Sequence, residues 1–210
     1  EERAGCNRAA IVVIARRPEQ TDCTLTDSET QREKKGECVN RTIVALGDGN
    51  TRYFLGDEGK CGPMEQAWPA QMEAILAALG AKTAVRNEGV PGETAADARE
   101  KFAARSAGAK LCILGFGMED IRRPERTMAS YLAEMADMFR QAKEQGMGVI
   151  ALGIPWFDKN YAGELVQSRL PKWNAGLSRL CEESGVPFVD LYQALGDDPD
   201  RWYGERKLPR

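Results

Sequence analysis

From Arg41 onward, short runs rich in β-branched residues alternate with longer stretches whose apolar residues recur at helical spacing. Parallel strands need a crossover between them, so this alternation is typical of a parallel sheet with helices packed on both faces. The predicted strands cover residues 42–46, 83–87, 110–114, 148–152 and 187–191. The sequence therefore predicts a single three-layer α/β/α domain built on a parallel sheet of about five strands.

The stretches between these strands predict the covering helices, over residues 68–79, 95–105, 128–145 and 171–184. Leu79 falls on the apolar face of the first helix, which Gly80 should end. Thr94 and Asp97 have the spacing of a capping box and mark the start of the second helix. Pro171 should start or kink the last helix. Five strands and this helix pattern fit a flavodoxin-like sheet.

Residues 1–40 depart from the alternation. Residues 9–15 predict one extra strand, and a long polar loop follows it. We therefore expect an N-terminal edge strand and stapled loop over residues 1–40, followed by the main domain over residues 41–210.

The six cysteines indicate whether the protein works in a reducing or an oxidising cellular compartment. Cys6, Cys23, Cys38 and Cys61 lie in polar, loop-like sequence, where disulfides are the stable state of an exported protein. A Cys23–Cys38 bridge would staple the polar loop, whereas residues 112 and 181 lie in apolar sequence and should be core cysteines. The pattern favours an exported protein, periplasmic or extracellular, with a disulfide.

The composition of the chain argues against several classes of partner. The formal net charge is -3 and both signs are scattered along the chain, so we expect no nucleic-acid partner. The longest aliphatic run, residues 11–14, is far shorter than the roughly 20 residues of a membrane span. There is no Cys-x-x-Cys pair and no histidine, so we expect no zinc ribbon, no metal and no cofactor.

Sequence blocks with a chemical meaning follow the predicted strands. Residues 47–51 read Gly-Asp-Gly-Asn-Thr and residues 68–69 read Trp-Pro. Residues 87–94 read Asn-Glu-Gly-Val-Pro-Gly-Glu-Thr, residues 117–120 read Gly-Met-Glu-Asp, and residues 205–209 read Glu-Arg-Lys-Leu-Pro. The carboxyl ends of parallel strands are where α/β sheets place their ligands, so function should be sought there.

In this order and spacing, the blocks resemble those of the SGNH, or GDSL-type, hydrolases, a superfamily of esterases and acylhydrolases. The family blocks read Gly-Asp-Ser-x-Thr, Asn-x-Gly-x-x-Gly-x-Thr, Gly-x-Asn-Asp and Asp-x-x-His-Pro. The resemblance covers roughly residues 42–210 and implies the SGNH hydrolase fold.

The resemblance also implies which positions would carry catalysis. Gly49 stands at the position of the serine nucleophile and Leu208 at that of the histidine base. Glu119 replaces the asparagine of the oxyanion hole, and Glu205 replaces the aspartate that orients the histidine. Gly92 matches the glycine whose N–H faces the oxyanion. Ester hydrolysis needs a nucleophile, a base and oxyanion donors, so no intact catalytic set remains.

Our leading hypothesis is a degenerate, non-catalytic SGNH-like domain that binds an acylated or carbohydrate ligand, or a protein partner, in the former active-site cleft. Candidate cleft residues are Asp48, Asn50, Thr51, Asp120, Trp156, Phe157, Trp202 and Tyr203. The aromatic residues among them suit sugars and acyl chains.

Three alternatives remain open at this stage. The chain could be an active ester hydrolase with relocated groups, such as Thr51 as nucleophile and Lys207 as base. It could instead be a structural module of a cell-envelope assembly. Finally, the carboxylates at positions 48, 119, 120 and 205 could converge to hold a hard cation or to act as an acid and a base.

Overall fold

The computed structural model describes residues 41–54, 60–156 and 159–195. Its centre is a sheet of five parallel strands in the order β2-β1-β3-β4-β5. The strands are β1 (Arg41–Gly47), β2 (Thr83–Gly89), β3 (Leu111–Gly115), β4 (Gly148–Leu152) and β5 (Phe188–Val189). This is the flavodoxin-like order, so the predicted fold class is confirmed.

Seven helices occur among the described residues. They are α1 (Gly49–Arg52), α2 (Trp68–Ala78), α3 (Ala95–Ser106), α4 (Met118–Arg122), α5 (Met128–Glu144), α6 (Lys159–Ser184) and α7 (Leu191–Leu195). A short 3-10 turn, Met64–Gln66, precedes α2. None of these helices is both long enough and apolar enough to cross a membrane.

Two apolar cores lie on opposite faces of the sheet, because successive side chains of a strand point to opposite sides. Val44 and Leu46 of β1 belong to the larger core, with apolar residues of α3, α5 and α6. Ala45 of β1 belongs to the smaller core, with Trp68 and Met72 of α2. The molecule therefore has three layers, as the sequence predicts.

The cysteine predictions have mixed outcomes. Cys112 and Cys181 are buried in the larger core, as expected. Cys61 is exposed and carries a free thiol, so it forms no disulfide. The other three cysteines, and the edge strand and stapled loop expected over residues 1–40, lie outside the described residues. The Cys23–Cys38 bridge stays a prediction.

The helix ends test the local sequence signals. The capping box of α3 is present: Thr94 Oγ1 accepts from the Asp97 amide and the Asp97 carboxylate accepts from the Thr94 amide. The prediction for Leu79 is wrong, because α2 ends at Ala78 and the Leu79 side chain is 72% exposed. Gly80 follows with φ +83, the left-handed conformation that ends helices.

The last long helix also departs from the prediction. α6 begins well before Pro171 and continues through it, and its interruption falls at Gly163, where φ is 68. Pro171 is exposed. A proline inside a helix removes one backbone hydrogen bond and crowds the preceding turn, and an exposed position avoids burying that loss in the core.

Candidate ligand site at the carboxyl ends of the strands

The turn after β1 is built on Asp48. Its side chain caps α1 by accepting a hydrogen bond from the Asn50 amide at 2.9 Å. Tyr53 ends the single helical turn in the left-handed conformation, and the Phe54 amide then donates to the Gly49 carbonyl at 2.7 Å. Asp48 is buried, so the turn holds a carboxyl group beneath its backbone.

The glycines at the carboxyl ends of β1 and β2 differ in how much space surrounds them. A Cβ on Gly47 would lie 2.2 Å from Thr51 Oγ1 and 2.8 Å from the Gly115 carbonyl oxygen, so this position must be glycine. A Cβ on Gly89 would lie 2.4 Å from the Arg52 amide nitrogen, which also forbids a side chain. The atoms nearest to a Cβ on Gly49 belong to the Phe54 side chain, whose Cβ would be 3.0 Å away, so Phe54 would have to shift by a few tenths of an ångström. Packing therefore forces glycine at 47 and 89, and the crowding at 49 is milder.

Thr51 lies under the turn rather than in the cleft. It is buried, and its hydroxyl lies against the ends of β1 and β3, as the space beside Gly47 and Gly115 shows. Its carbonyl accepts from Asn87 Nδ2 at 2.8 Å, and the Asn87 side-chain oxygen accepts from the Gly89 amide at 2.9 Å. A nucleophile must reach a substrate carbonyl, so this buried position suits a brace for the turn.

The loop after β2 lies beside this turn. The Val90 amide donates to the Gly47 carbonyl at 2.9 Å, which ties the two loops together. Gly92 is exposed, has φ +78, and accepts a hydrogen bond on its carbonyl from Arg123 at 3.0 Å. The structure thus places Gly92 in the neighbouring loop, as the sequence blocks require.

The loop after β3 brings Glu119 to the same end of the sheet. Gly117 has φ +117, and a Cβ there would clash with Ile154 at 2.6 Å. Asn50 Nδ2 lies 2.6 Å from Met118 Sδ, so the turn after β1 contacts the first residue of α4. Glu119 follows directly and forms an ion pair with Arg122 at 3.4 Å.

Asp120 is fully buried and belongs to a separate network. It accepts from the Ala95 amide at 3.0 Å and from Arg126 Nε and Nη2 at 3.0 and 2.7 Å. Arg126 also pairs with Glu134 of α5. Asp120 therefore joins the start of α3 to α4 and α5, which is a structural role.

Burial controls the electrostatics of Asp48. Its pKa is raised from 3.8 to about 7, mainly by loss of solvent and against the stabilising hydrogen bond from the Asn50 amide. Repulsion from the carboxylates of Glu119 and Asp120 contributes to the same rise. The pKa of Asp120 is also raised by burial, but the Ala95 amide and Arg126 both oppose that rise. Asp48 is thus a carboxyl group that can hold its proton near neutral pH.

The acidic residues do not form a metal centre in the part of the chain that the structure describes. No group of three or more Asp, Glu, Cys or His side chains is placed there to hold an ion. Asp48 and Asp120 instead cap a turn and join helices. Glu205 lies outside the described residues.

Of the aromatic residues predicted to line the cleft, only Trp156 is described, and it is 8% exposed. Its contact with a ligand stays a prediction, as do the roles of Phe157, Trp202, Tyr203 and Leu208, which lie outside the described residues. Sequence reasoning missed Phe54, which contacts the space beside Gly49. Its position directly after the turn was the available signal.

The strand order and the loops after β1, β2 and β3 define a flavodoxin-like α/β domain whose candidate site lies at the carboxyl ends of these strands. The model of the GDSL-like lipase/acylhydrolase family matches residues 45–207. The chain belongs to this family.

Solved structures share this fold. The lipase/acylhydrolase from Enterococcus faecalis is similar at 25% identity and a TM-score of 0.66, over 77% of this chain and 81% of that chain. The esterase EstA from a Pseudoalteromonas species is similar in fold at 14% identity and a TM-score of 0.59, over 72% and 77%. A catalytic mutant of an acetylxylan esterase from Geobacillus stearothermophilus is similar in fold at 14% identity and a TM-score of 0.59, over 74% of this chain and 78% of that chain. The comparison with curated proteins gave no significant match.

Proposed function

We propose that this GDSL-family domain binds its ligand in the cleft beside Gly49 and does not hydrolyse it. The observation that carries the proposal is the position of Gly49. It follows the buried Asp48 in the turn after β1, where the family block has its serine, and it has no side chain to attack an ester. A side chain at this position would require only a small shift of Phe54, whose Cβ would lie 3.0 Å from the added Cβ.

The proton acceptor is also missing. The 210-residue sequence has no histidine, and Leu208 stands at the position that the family block assigns to the base. Without a base, a hydroxyl nucleophile near neutral pH stays protonated and weak. The burial of Thr51 also disfavours its use as a relocated nucleophile.

Glu119 stands where the family block has an asparagine that donates to the oxyanion hole. An oxyanion hole works by presenting hydrogen-bond donors to developing negative charge, and an ionised carboxylate repels that charge instead. Gly92 alone among the matched positions keeps a residue suited to the family role. Loss of the nucleophile and base leaves at most the weak residual catalysis that binding provides.

The second candidate is an active ester hydrolase with relocated catalytic groups, which family membership favours. A structural module of an envelope assembly is the third. Both predict behaviour different from that of a small-molecule binder: the first turns over simple esters, and the third binds no acylated or carbohydrate ligand.

The test is an esterase assay of the purified chain on p-nitrophenyl acetate and butyrate. We expect no turnover above the buffer rate from the natural sequence. The variant Gly49→Ser, Glu119→Asn, Glu205→Asp, Leu208→His should gain measurable activity, because it restores every element of the family set.

The matched control carries the last three substitutions with Gly49→Ala, and it should stay inactive. Robust turnover by the natural sequence, abolished by Thr51→Ala, would overturn the proposal in favour of relocated groups. A folded but silent quadruple variant would contradict the assignment of the catalytic positions.

A further inference from the structure

Strand β2 forms one edge of the sheet. It comes first in the strand order, and among the described strands it pairs only with β1. The side of β2 that faces away from β1 is called its outer edge below. An outer edge presents backbone N–H and C=O groups to which a strand of another molecule can bond. The groups that occupy these positions therefore decide whether a further strand can add to the sheet.

The hydrogen bonds show which amides of β2 face the outer edge. The Val90 amide, directly after β2, donates to the Gly47 carbonyl of β1 at 2.9 Å. The amides of a strand alternate between its two sides, so the odd-numbered residues of β2 direct their amides away from β1. Val85 and Gly89 are two of these residues. Their amides are donors that another strand could use.

Both of these outward amides have a side-chain acceptor within this chain. The Val85 amide donates to Glu73 Oε2 at 2.5 Å. The Gly89 amide donates to Asn87 Oδ1 at 2.9 Å, and Asn87 is itself held through its Nδ2 group by the Thr51 carbonyl. Side chains thus take the place that the carbonyls of an added strand would occupy.

The position of α2 brings Glu73 to the edge. Met72 and Trp68 of α2 are buried in the smaller core, and Val85 packs against the same core. α2 therefore covers one face of β2, and Glu73, directly after Met72, is exposed at the border of that face. A hydrogen bond from an amide to a carboxylate is roughly twice as strong as one between neutral groups. Its charge also disfavours the approach of another strand.

The space beside this part of β2 is open. A groove of about 500 Å³ lies between the end of α2 and the start of β2, and Glu73 lines it together with the small residues Ala77, Ala81, Thr83 and Ala84. Small side chains leave room for an incoming strand, so bulk does not protect the backbone here. Protection of the edge at Val85 rests on the hydrogen bond and the charge of Glu73.

From these observations we propose that Glu73 guards the outer edge of β2. Its carboxylate holds the Val85 amide and prevents β2 of a second copy of this chain from adding to the sheet. The guard is independent of the cleft and of the proposed function. It also predicts that the extra strand expected over residues 9–15 does not pair with β2.

The test compares two substitutions of Glu73 in the full chain. Glu73→Ala removes the acceptor, whereas Glu73→Gln keeps an oxygen that can accept from the Val85 amide. Sedimentation equilibrium over a wide range of protein concentration measures self-association. We expect Glu73→Ala to self-associate about tenfold more tightly than the natural sequence, because it leaves an unpaired donor at the edge. Glu73→Gln should stay close to the natural sequence.

The matched control is Glu100→Ala, which removes an exposed acid from α3. It lowers the net negative charge by the same amount as Glu73→Ala and should leave self-association unchanged. Alanine is a strong helix former, so neither exposed helical position should prevent folding.

Hydrogen exchange followed by NMR locates the contact. In dilute solution the Val85 amide of Glu73→Ala should exchange about tenfold faster than that of the natural sequence. The Ala84 amide, which faces β1, should exchange equally in both proteins and is the internal reference. At high concentration the Val85 amide of Glu73→Ala should become protected again, because association covers it.

Three outcomes would overturn the proposal. The first is a Glu73→Ala variant that self-associates no more than the natural sequence. The second is self-association of the natural sequence with protection of the β2 edge. The third is a Val85 amide that stays protected in Glu73→Ala at every concentration, which would show that another segment of the chain covers the edge.

Discussion

Asp48 and Asp120 are two buried carboxyl groups at the same end of the sheet, and the protein treats them differently. Asp120, after β3, has Arg126 and the Ala95 amide as partners. Asp48, after β1, accepts from the Asn50 amide and faces the acidic groups Glu119 and Asp120. The comparison shows that the loop after β3 holds a compensated charge that joins helices, whereas the turn after β1 holds a carboxyl group that favours its neutral form.

This difference has a physical origin. A buried charge is tolerated when a counter-ion and hydrogen bonds replace its lost hydration, and otherwise the group shifts its pKa and becomes neutral. Arg126 supplies that counter-ion to Asp120, and Glu134 completes the network. Substitutions that disrupt these two arrangements should therefore change stability in different ways.

The largest effect is expected from removing the counter-ion of Asp120. Arg126→Ala should lower the free energy of unfolding by about 3 kcal/mol, because it leaves a fully buried carboxyl group without its cation. Urea denaturation followed by circular dichroism measures this. Arg140→Ala, which removes an exposed arginine of α5, should have a much smaller effect, because solvent screens its ion pairs. Similar losses in the two variants would contradict the buried network.

A smaller effect is expected from the titration of Asp48. Its folded-state pKa is raised from 3.8 to about 7, so between those values the folded state keeps a proton that the unfolded state has released. The resulting stabilisation is fully present at low pH and is lost as pH rises toward 7. Asp48→Asn keeps an acceptor for the Asn50 amide without the charge. The natural sequence should therefore lose about 2 kcal/mol relative to Asp48→Asn between pH 5 and pH 8.

Urea denaturation of both proteins at several pH values measures this difference. Glu100→Gln, which changes an exposed acid of α3, is the control and should follow the natural sequence. Parallel stability curves for the natural sequence and Asp48→Asn would show that Asp48 is ionised in the folded protein across this range.

The smallest effect is expected at Gly49. Gly49→Ala should change the free energy of unfolding by less than about 1 kcal/mol, because the helix propensity of alanine offsets the small shift of Phe54 that the new Cβ requires. Gly47→Ala should cost about 2 kcal/mol, because its Cβ would overlap Thr51 and the backbone of Gly115. Thermal denaturation of the two variants measures the contrast. A large loss in Gly49→Ala would show that the fold itself requires this glycine.

Much of the fold followed from local sequence signals. The first four strands, the capping box at Thr94 and the loops after β1, β2 and β3 were predictable, because periodicity and capping act within a few residues. The last strand is shorter than predicted, since it covers only Phe188–Val189 and a helix begins at Leu191. The exposure of Leu79 and the passage of α6 through Pro171 were not predictable. Both depend on which face of the helix meets solvent, and tertiary packing decides that.

The candidate site divides in the same way. Gly49, Gly92 and Glu119 were identified from the blocks that they occupy. The partner of Asp120 and the exposure of Phe54 were not, since each depends on a loop that returns to a neighbouring element. Spacing along a chain does not encode such contacts.

The tolerance of the turn at Gly49 bears on how this protein could change over evolutionary time. Gly47 and Gly89 are fixed by the crowding of strand ends, whereas a side chain at position 49 asks only for a small shift of Phe54. The loops after β1, β2 and β3 all lie at the same end of the sheet. A change of residue 49 over evolutionary time therefore needs little adjustment of the described backbone.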